Sequence, residues 1–398
     1  MKPQIALVLL IFCIADVQDG LGPFFGVFLK EHGFLEGEIG IISTFASLCA
    51  LIFGVPLGIL IDKTRYKRLL VGICISIICL ATFGLLLYQH FIFAMFGQFA
   101  IAMSGALLAP AFASITLGIV GIEKYNQQTS KNEAFRHGGQ LFGAILCFIF
   151  ALYYGITSVF IITILMGMCA FIFLNLIKES SINHTVARGE VVGTQKVPLR
   201  KIFSNPNILI LAFSVFCFHL SNAYMLPLLS QRAHSMGVDS SGAYAAATVI
   251  IAQSTMIFVC ITCGKLIKKH KTFKIYFLLM ALCLFELVIR GGIAASFSSI
   301  PGMVVVQILD GIGAGLIGIL VPVLCAFILQ GSGHFNAGFA FVMTCWGIGA
   351  ALSGSLGGII AQKLGYFYAY GALALAAFIG LVVWILCFNR LNRSIKPY

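Results

Sequence analysis

The stretch Gly58-Ile59-Leu60-Ile61-Asp62-Lys63-Thr64-Arg65-Tyr66-Lys67-Arg68-Leu69-Leu70 lies between two long apolar runs, 38–61 and 69–88. Each run has the length of about 20 residues that a helix needs to cross the hydrocarbon of a bilayer. The segment between them carries four cations and one carboxylate, which lipid does not solvate, so it reads as a tight turn at a membrane surface. Working outward gives further spans near 4–29, 92–121, 134–154 and 158–177. A polar segment follows, Lys178 to Asn207, and then spans near 208–230, 242–267, 275–296, 301–329, 337–362 and 367–388. Composition agrees. Of 398 residues, 60% are hydrophobic and 10% charged, against roughly a quarter charged in soluble domains, and the mean hydropathy is +1.04. A soluble core of this length has no room for so much apolar surface. The first run is long enough to span and has no small-residue cleavage site after it, so no cleavable leader is expected.

Charge then orients the chain. With the N-terminus in the cytoplasm, the inner segments hold Lys2; Lys63, Arg65, Lys67 and Arg68; Lys124 and Lys131; Lys178, Arg188, Lys196, Arg200 and Lys201; Lys265, Lys268, Lys269, Lys271 and Lys274; and Arg390, Arg393 and Lys396. These are 20 of the 25 basic residues. The outer loops hold Lys30, Arg232 and Lys363, while Arg136 and Arg290 fall in or at the edge of spans. Positive loops resist translocation, so both termini are expected inside and the number of spans is even. Twelve spans satisfy this. The expected location is the inner (plasma) membrane. The net charge of +12 sits in short loops and not in a stripe with interleaved aromatics, so no nucleic-acid partner is expected.

The two halves echo each other. Asp16 and Asp19 in the first span align with His219 and Asn222 in the seventh at an offset of 203; Pro23 aligns with Pro227 at 204, and Gly58 with Gly264 at 206. Two six-helix halves related by an axis along the membrane normal form a carrier architecture, with substrate held between them near the midplane. The expected fold is all-α, twelve transmembrane helices in two pseudo-symmetric six-helix bundles. The bundles are 1–177 and 208–398, the latter ending in a short tail, and 178–207 links them in the cytoplasm.

The segment Gly58 to Leu70 resembles the G-x-L-a-D-r-x-G-r-K-x-x-L signature of the major facilitator superfamily, with Arg65 where the pattern has glycine. The resemblance implies a cytoplasmic gate formed by Gly58, Asp62, Lys63, Lys67 and Arg68, in which the aspartate meets a helix N-terminus. The counterpart Gly264-Lys265-Leu266-Ile267-Lys268-Lys269 lacks the acid. Further stretches are similar to one bacterial branch of that superfamily: Asp16 to Phe24, Asn132 to Gly139, Phe218 to Leu228, Gln307 to Gly315 and Gly331 to Asn336. What this likeness implies is a carrier, with exporters of siderophores or drug-like compounds among its relatives. The fourth-helix arginine of proton-coupled members and the fifth-helix G-P-x-x-G of many antiporters are absent.

Polar groups inside spans carry the functional expectations. An acid at the centre of a spanning helix costs roughly 2.5–3.5 kcal/mol. Asp16 and Asp19 share a face through i, i+3 spacing, and Gln18 lies beside it. Two acids this close disfavour double ionisation, which suits a site where a proton binds and leaves. Asp16 and Asp19 are therefore the first candidates for proton coupling and Asp310 the third. Candidate substrate contacts are Gln18, Arg136, His137, His219, Asn222 and Gln307. Arg136 suits a carboxylate and His219 titrates near neutrality in its free form. The bland alternatives are an i, i+4 ion pair between Glu133 and His137, and mutual neutralisation of Glu286 and Arg290. Gly311, Gly313 and Gly315 allow close helix approach, and Pro23, Pro110, Pro227 and Pro322 read as kinks.

No G-x-x-x-x-G-K-[ST] loop, H-E-x-x-H or G-x-S-x-G occurs, so neither an ATP-driven pump nor a hydrolase is expected. The 13 cysteines are scattered through apolar segments, and Cys260 with Cys263 has no second pair. No metal site, cofactor or catalytic residue is expected. A receptor would need a sensory domain larger than the thirty-residue linker. The reading is a monomeric secondary carrier, its partners a small-molecule substrate, a proton and the lipid bilayer. It works by alternating access, with export of a siderophore-like or drug-like molecule ahead of proton-coupled uptake of a polar or carboxylate metabolite.

Overall fold

The computed structural model describes residues 1–18, 23–191, 197–236, 243–270, 272–297 and 299–395. Among them every regular element is helical. In chain order these are α1 (Pro3–Gln18), α2 (Pro23–Glu31), α3 (Glu36–Lys63), α4 (Lys67–Leu87), α5 (Phe91–Tyr154), α6 (Thr157–Asn175), α7 (Leu199–Phe203), α8 (Pro206–Asn222), α9 (Met225–Ser235), α10 (Ala243–Lys269), α11 (Phe273–Ser296), α12 (Ile300–Ile328), α13 (Phe335–Leu364), α14 (Tyr366–Leu386) and α15 (Phe388–Ser394).

Ten of the described helices are long and apolar enough to cross a membrane. One of them, α5, is 64 residues long and is broken at Gly121, whose φ of 72° and ψ of 170° are not helical. That backbone conformation belongs almost wholly to glycine, so α5 contains two spans. The pair α1 and α2 fills the first span read from the sequence, which brings the number to twelve. Large apolar side chains such as Ile52, Leu80, Phe258 and Leu386 are exposed, as expected where lipid is the solvent.

The chain divides into two compact units. One comprises Met1–Gln128, Phe135–Lys196 and Gly331–Ala340; the other comprises Thr129–Ala134, Val197–Gln330 and Phe341–Tyr398. In the first unit α6 packs on α1 and α4. The aromatic pair Phe28 and Phe160, with ring centroids 4.1 Å apart, closes its core. Gly139 in α5 lies against the carbonyl of Phe12 in α1, so closely that a Cβ would overlap it. In the second unit α11 packs on α12 and α14, α12 on α10, and α14 on α8. Trp384 Nε1 donates to the carbonyl of Phe277 at 3.0 Å, tying α14 to α11. Gly311 meets Thr255 and the carbonyl of Ala252 in α10, and Gly315 meets the Met256 backbone. Lipid gives no hydrophobic drive for helix association, so these backbone-to-backbone approaches supply the van der Waals contact that holds the spans together.

The short segments that change units follow the repeat. A Cβ on Gly58 would lie 2.6 Å from the carbonyl oxygen of Asn336, and one on Gly264 would lie 2.9 Å from Cβ of Ser130. Gly58 to Gly264 and Ser130 to Asn336 are the same 206-residue step. Each unit therefore packs a helical residue, Asn336 in one and Ser130 in the other, on a glycine at the equivalent position.

Candidate functional site

Span seven is interrupted: α8 ends at Asn222 and α9 begins at Met225. Proline within the first helical turn loses no hydrogen bond, because that turn's N–H groups have no partner in the helix. Pro227 stands in the opening turn of α9. It therefore belongs to the start of a new helix. An interrupted span in a carrier points to a binding region. Asp19 lies outside the described residues. Asp16 and Gln18 belong to the last turns of α1, and their side chains also lie outside the described set.

In the second unit, the side chains before the break converge with α11 and α12. Arg290 is completely buried. Its Nη1 donates to Asp310 Oδ1 at 2.8 Å and to the side-chain oxygen of Asn222. Its Nε and Nη2 have no hydrogen-bond partner. The close ion pair of Arg290 is therefore with Asp310 and not with Glu286, the partner that spacing suggested, although the Arg290 charge still acts on Glu286. Helical spacing showed one partner on the same helix, whereas packing brings two acceptors from α8 and α12 to one guanidinium nitrogen. Glu286, 2% exposed, has no hydrogen bond to either carboxyl oxygen and presses against Gly313 of α12. Gln307 is fully buried, and neither its amide oxygen nor its nitrogen has a partner. His219 stacks on Trp346 at a centroid distance of 3.6 Å and 19° between planes, with Nε2 unpartnered. A buried ion pair beside unsatisfied carboxyl, guanidinium and amide atoms is costly to hold in a membrane core, and such groups gather where a protein handles charge. Of the sequence candidates, the structure joins Asn222 and Asp310 directly through Arg290. Arg136 and His137 lie in the first unit on α5, the former partly exposed and the latter buried.

A second cluster forms in the first unit around Asp62, which is 3% exposed. Oδ1 accepts from the Asn336 backbone N–H at 3.1 Å and from Asn336 Nδ2 at 2.7 Å. Oδ2 accepts from the Ala337 N–H at 2.8 Å. These are first-turn amides of α13, which lack helical partners, and the helix dipole favours an anion there. Asn336 Nδ2 also lies 3.1 Å from Ser114 Oγ, and Ser114 Oγ donates to the Ala187 carbonyl at 2.8 Å. The linker thereby enters the same network. The Asn183 N–H donates to the carbonyl of Gly118 at 3.0 Å, and the Gly331 N–H to that of Gly189 at 2.6 Å. Arg68 Nη1 donates to the Ile177 carbonyl at 2.7 Å, and Arg68 Nε lies 3.8 Å from Glu179. Lys67 is buried and donates to the Thr64 carbonyl at 2.8 Å, while Lys63 is exposed. His184 lies 3.3 Å from Glu179. Burial holds the His184 pKa below its ordinary value, and the Lys67 charge adds to this against the pull of Glu179.

Asn336, Ser114, Glu286, Arg290 and Trp346 were not among the sequence candidates. For Asn336 a signal existed, since it follows the glycine-rich turn Gly331 to Gly333 immediately before a span. Ser114 and Trp346 carry no local signal.

A chain of some twelve apolar helices, with charged groups buried inside its spans, is a multi-pass membrane protein of the transporter class. It matches the Major Facilitator Superfamily over residues 7–293. It is 31% identical over 383 residues to an uncharacterised MFS-type transporter of Mycobacterium tuberculosis, covering 94% of this chain and 91% of the relative. The chain belongs to the major facilitator superfamily. Among solved structures its fold is similar to that of FucP in the outward conformation, with a TM-score of 0.74 at 13% identity, covering 97% of this chain and 98% of that one. A bacterial homologue of the iron transporter ferroportin gives a TM-score of 0.73 at 14% identity, over 98% and 100% of the two chains. The human organic anion transporter MFSD10 gives 0.70 at 11% identity, over 96% and 98%. At these identities the likeness is one of fold.

Proposed function

We propose that this transporter is a proton-coupled secondary carrier of a small organic solute, working by alternating access of its halves 1–177 and 208–398. It acts as a monomer in the inner membrane with both termini cytoplasmic. The observation that carries the coupling is the buried Arg290–Asp310 pair, with Glu286 and Gln307 unsatisfied beside it. An acid that exchanges a proton in a membrane core needs a nearby cation whose partner can change, and Arg290 has unused donors. Asp310 is the proton site of the second half, with Asp16 and Asp19 as its counterparts in the first. Asn222, His219 and Gln307 contact solute in the second half; Gln18, Arg136 and His137 do so in the first. The Asp62 network is the gate, since its hydrogen bonds to α13 must break if that helix end is to move.

The direction we favour is export of a siderophore-like or drug-like molecule. The second reading, uptake of a carboxylate, draws on the two cations within spans, Arg136 and Arg290. Proteoliposomes with a pH-sensitive dye inside test both. A panel of hydroxamate and catecholate siderophores, drug-like amines and carboxylates is added against an imposed gradient. Solute accumulation driven by an acid interior, with collapse of the gradient, is the expected outcome for an exporter. Accumulation driven by an acid exterior would establish uptake instead. Solute flux indifferent to the gradient would remove the proton from the mechanism.

A further inference from the structure

The end of the last span carries a basic pocket that the transport reading does not use. Its volume is about 450 Å³, and Asn207, Asn389, Arg390, Arg393 and Ser394 line it. α14 ends at Leu386 and α15 begins two residues later. Leu391 and Ile395, i and i+4, are buried, and Phe388 packs edge-on against Phe277 of α11 at 4.6 Å. These anchors fix α15 against α11 and α14. Arg390 and Arg393 then share an exposed face at i, i+3. Asn207 Nδ2 donates to Ser394 Oγ at 2.8 Å, closing the pocket from the first turn of α8, and Asn207 Oδ1 is buried without a partner.

Charge in this region is uncompensated. From Val197 to Tyr398 the acids are Asp239, Glu286 and Asp310, and the last two are buried within spans. Among the described residues neither Arg390 nor Arg393 has a carboxylate within 4 Å. The Ser394 hydroxyl is spent on the Arg390 carbonyl and the Asn207 amide on that hydroxyl. The two guanidinium forks are therefore the donors left at the end of the spanning helix, and they suit a phosphate diester, which arginine grips through two oxygens at once. The pocket lies just beyond the end of the apolar helix α14, and phospholipid headgroups gather at the ends of spanning helices.

We propose that this pocket is a binding site for the headgroup of an anionic phospholipid, held by Arg390 and Arg393. The test uses the full-length protein in mild detergent, with its melting temperature followed as phosphatidylglycerol, phosphatidylcholine or inorganic phosphate is added. A ligand that binds only the folded state raises the melting temperature with concentration. The expected result is a saturable rise with phosphatidylglycerol that the other two do not reproduce. It should be lost in the double variant Arg390→Gln, Arg393→Gln and reduced in Arg390→Lys, Arg393→Lys, which keeps the charge but not the fork. Lys268→Gln with Lys269→Gln, an exposed basic pair on α10, should leave it intact. An equal rise with phosphatidylcholine would overturn the proposal, as would equal loss in the lysine-to-glutamine control. A matching rise with inorganic phosphate would identify a soluble anion in place of the lipid. Transport coupling is not part of the readout, so failure here leaves the proton assignment untouched.

Discussion

At the level of single residues, the buried charges of the second unit separate by partner. Asp310→Asn removes the counter-charge of a fully buried arginine, which typically costs about 3–5 kcal/mol. Glu286→Gln keeps the shape and breaks no hydrogen bond, so its effect on stability should stay below about 1 kcal/mol. Denaturation of the two purified variants side by side checks this contrast; equal losses would mean that Glu286 also neutralises Arg290. Asp62 offers a second measurement. Its carboxylate and Asn336 belong to one hydrogen-bonded network, so Asp62→Asn and Asn336→Ala should not add. A coupling energy of at least about 0.5 kcal/mol is expected from the double-mutant cycle, and simple additivity would dissolve the network as a unit. Asp310 and Asn222 were legible as polar groups in apolar runs. That Arg290 joins them was not, because periodicity shows neighbours on one helix and says nothing of which helices pack.

Elements show where backbone conformation, not side-chain contact, sets the cost. Gly121 has open space around the position a Cβ would take, yet its φ and ψ lie in a region that other residues avoid. Gly121→Ala should therefore destabilise by about 1–3 kcal/mol through strain alone. A variant as stable as the parent in thermal unfolding would show that the break in α5 does not need glycine. The linker carries a pH dependence. The folded state holds the His184 pKa below the ordinary value of about 6.5, so the released segment takes up the proton first. Docking of residues 179–190 is then complete above pH 6.5 and weakens as pH falls through that value. Limited proteolysis between pH 5 and 8 should show faster cleavage of this segment at the acid end, and His184→Gln should flatten the profile. Persistence of the dependence in that variant would assign it to another group.

For the whole molecule, the distribution of basic residues makes a prediction independent of any side-chain geometry. A cysteine introduced at Tyr66 in a background with reactive native thiols removed should react with an impermeant maleimide only from the cytoplasmic side. One introduced at Gly33 should react only from the opposite side, because an odd number of spans separates them. Both reacting from one face would refute the orientation. Amino-acid order alone determined that this chain lives in lipid and spans it about twelve times as a member of its superfamily. Those properties follow from run length, charge placement and a motif, which are local and additive along the chain. Folding alone decided which buried charges meet: Arg290 with Asp310 and Asn222, Asp62 with the start of α13, and the linker with Ser114. Such pairings join residues up to 275 positions apart. They depend on which helices approach closely enough to pack, and a one-dimensional pattern does not encode that choice.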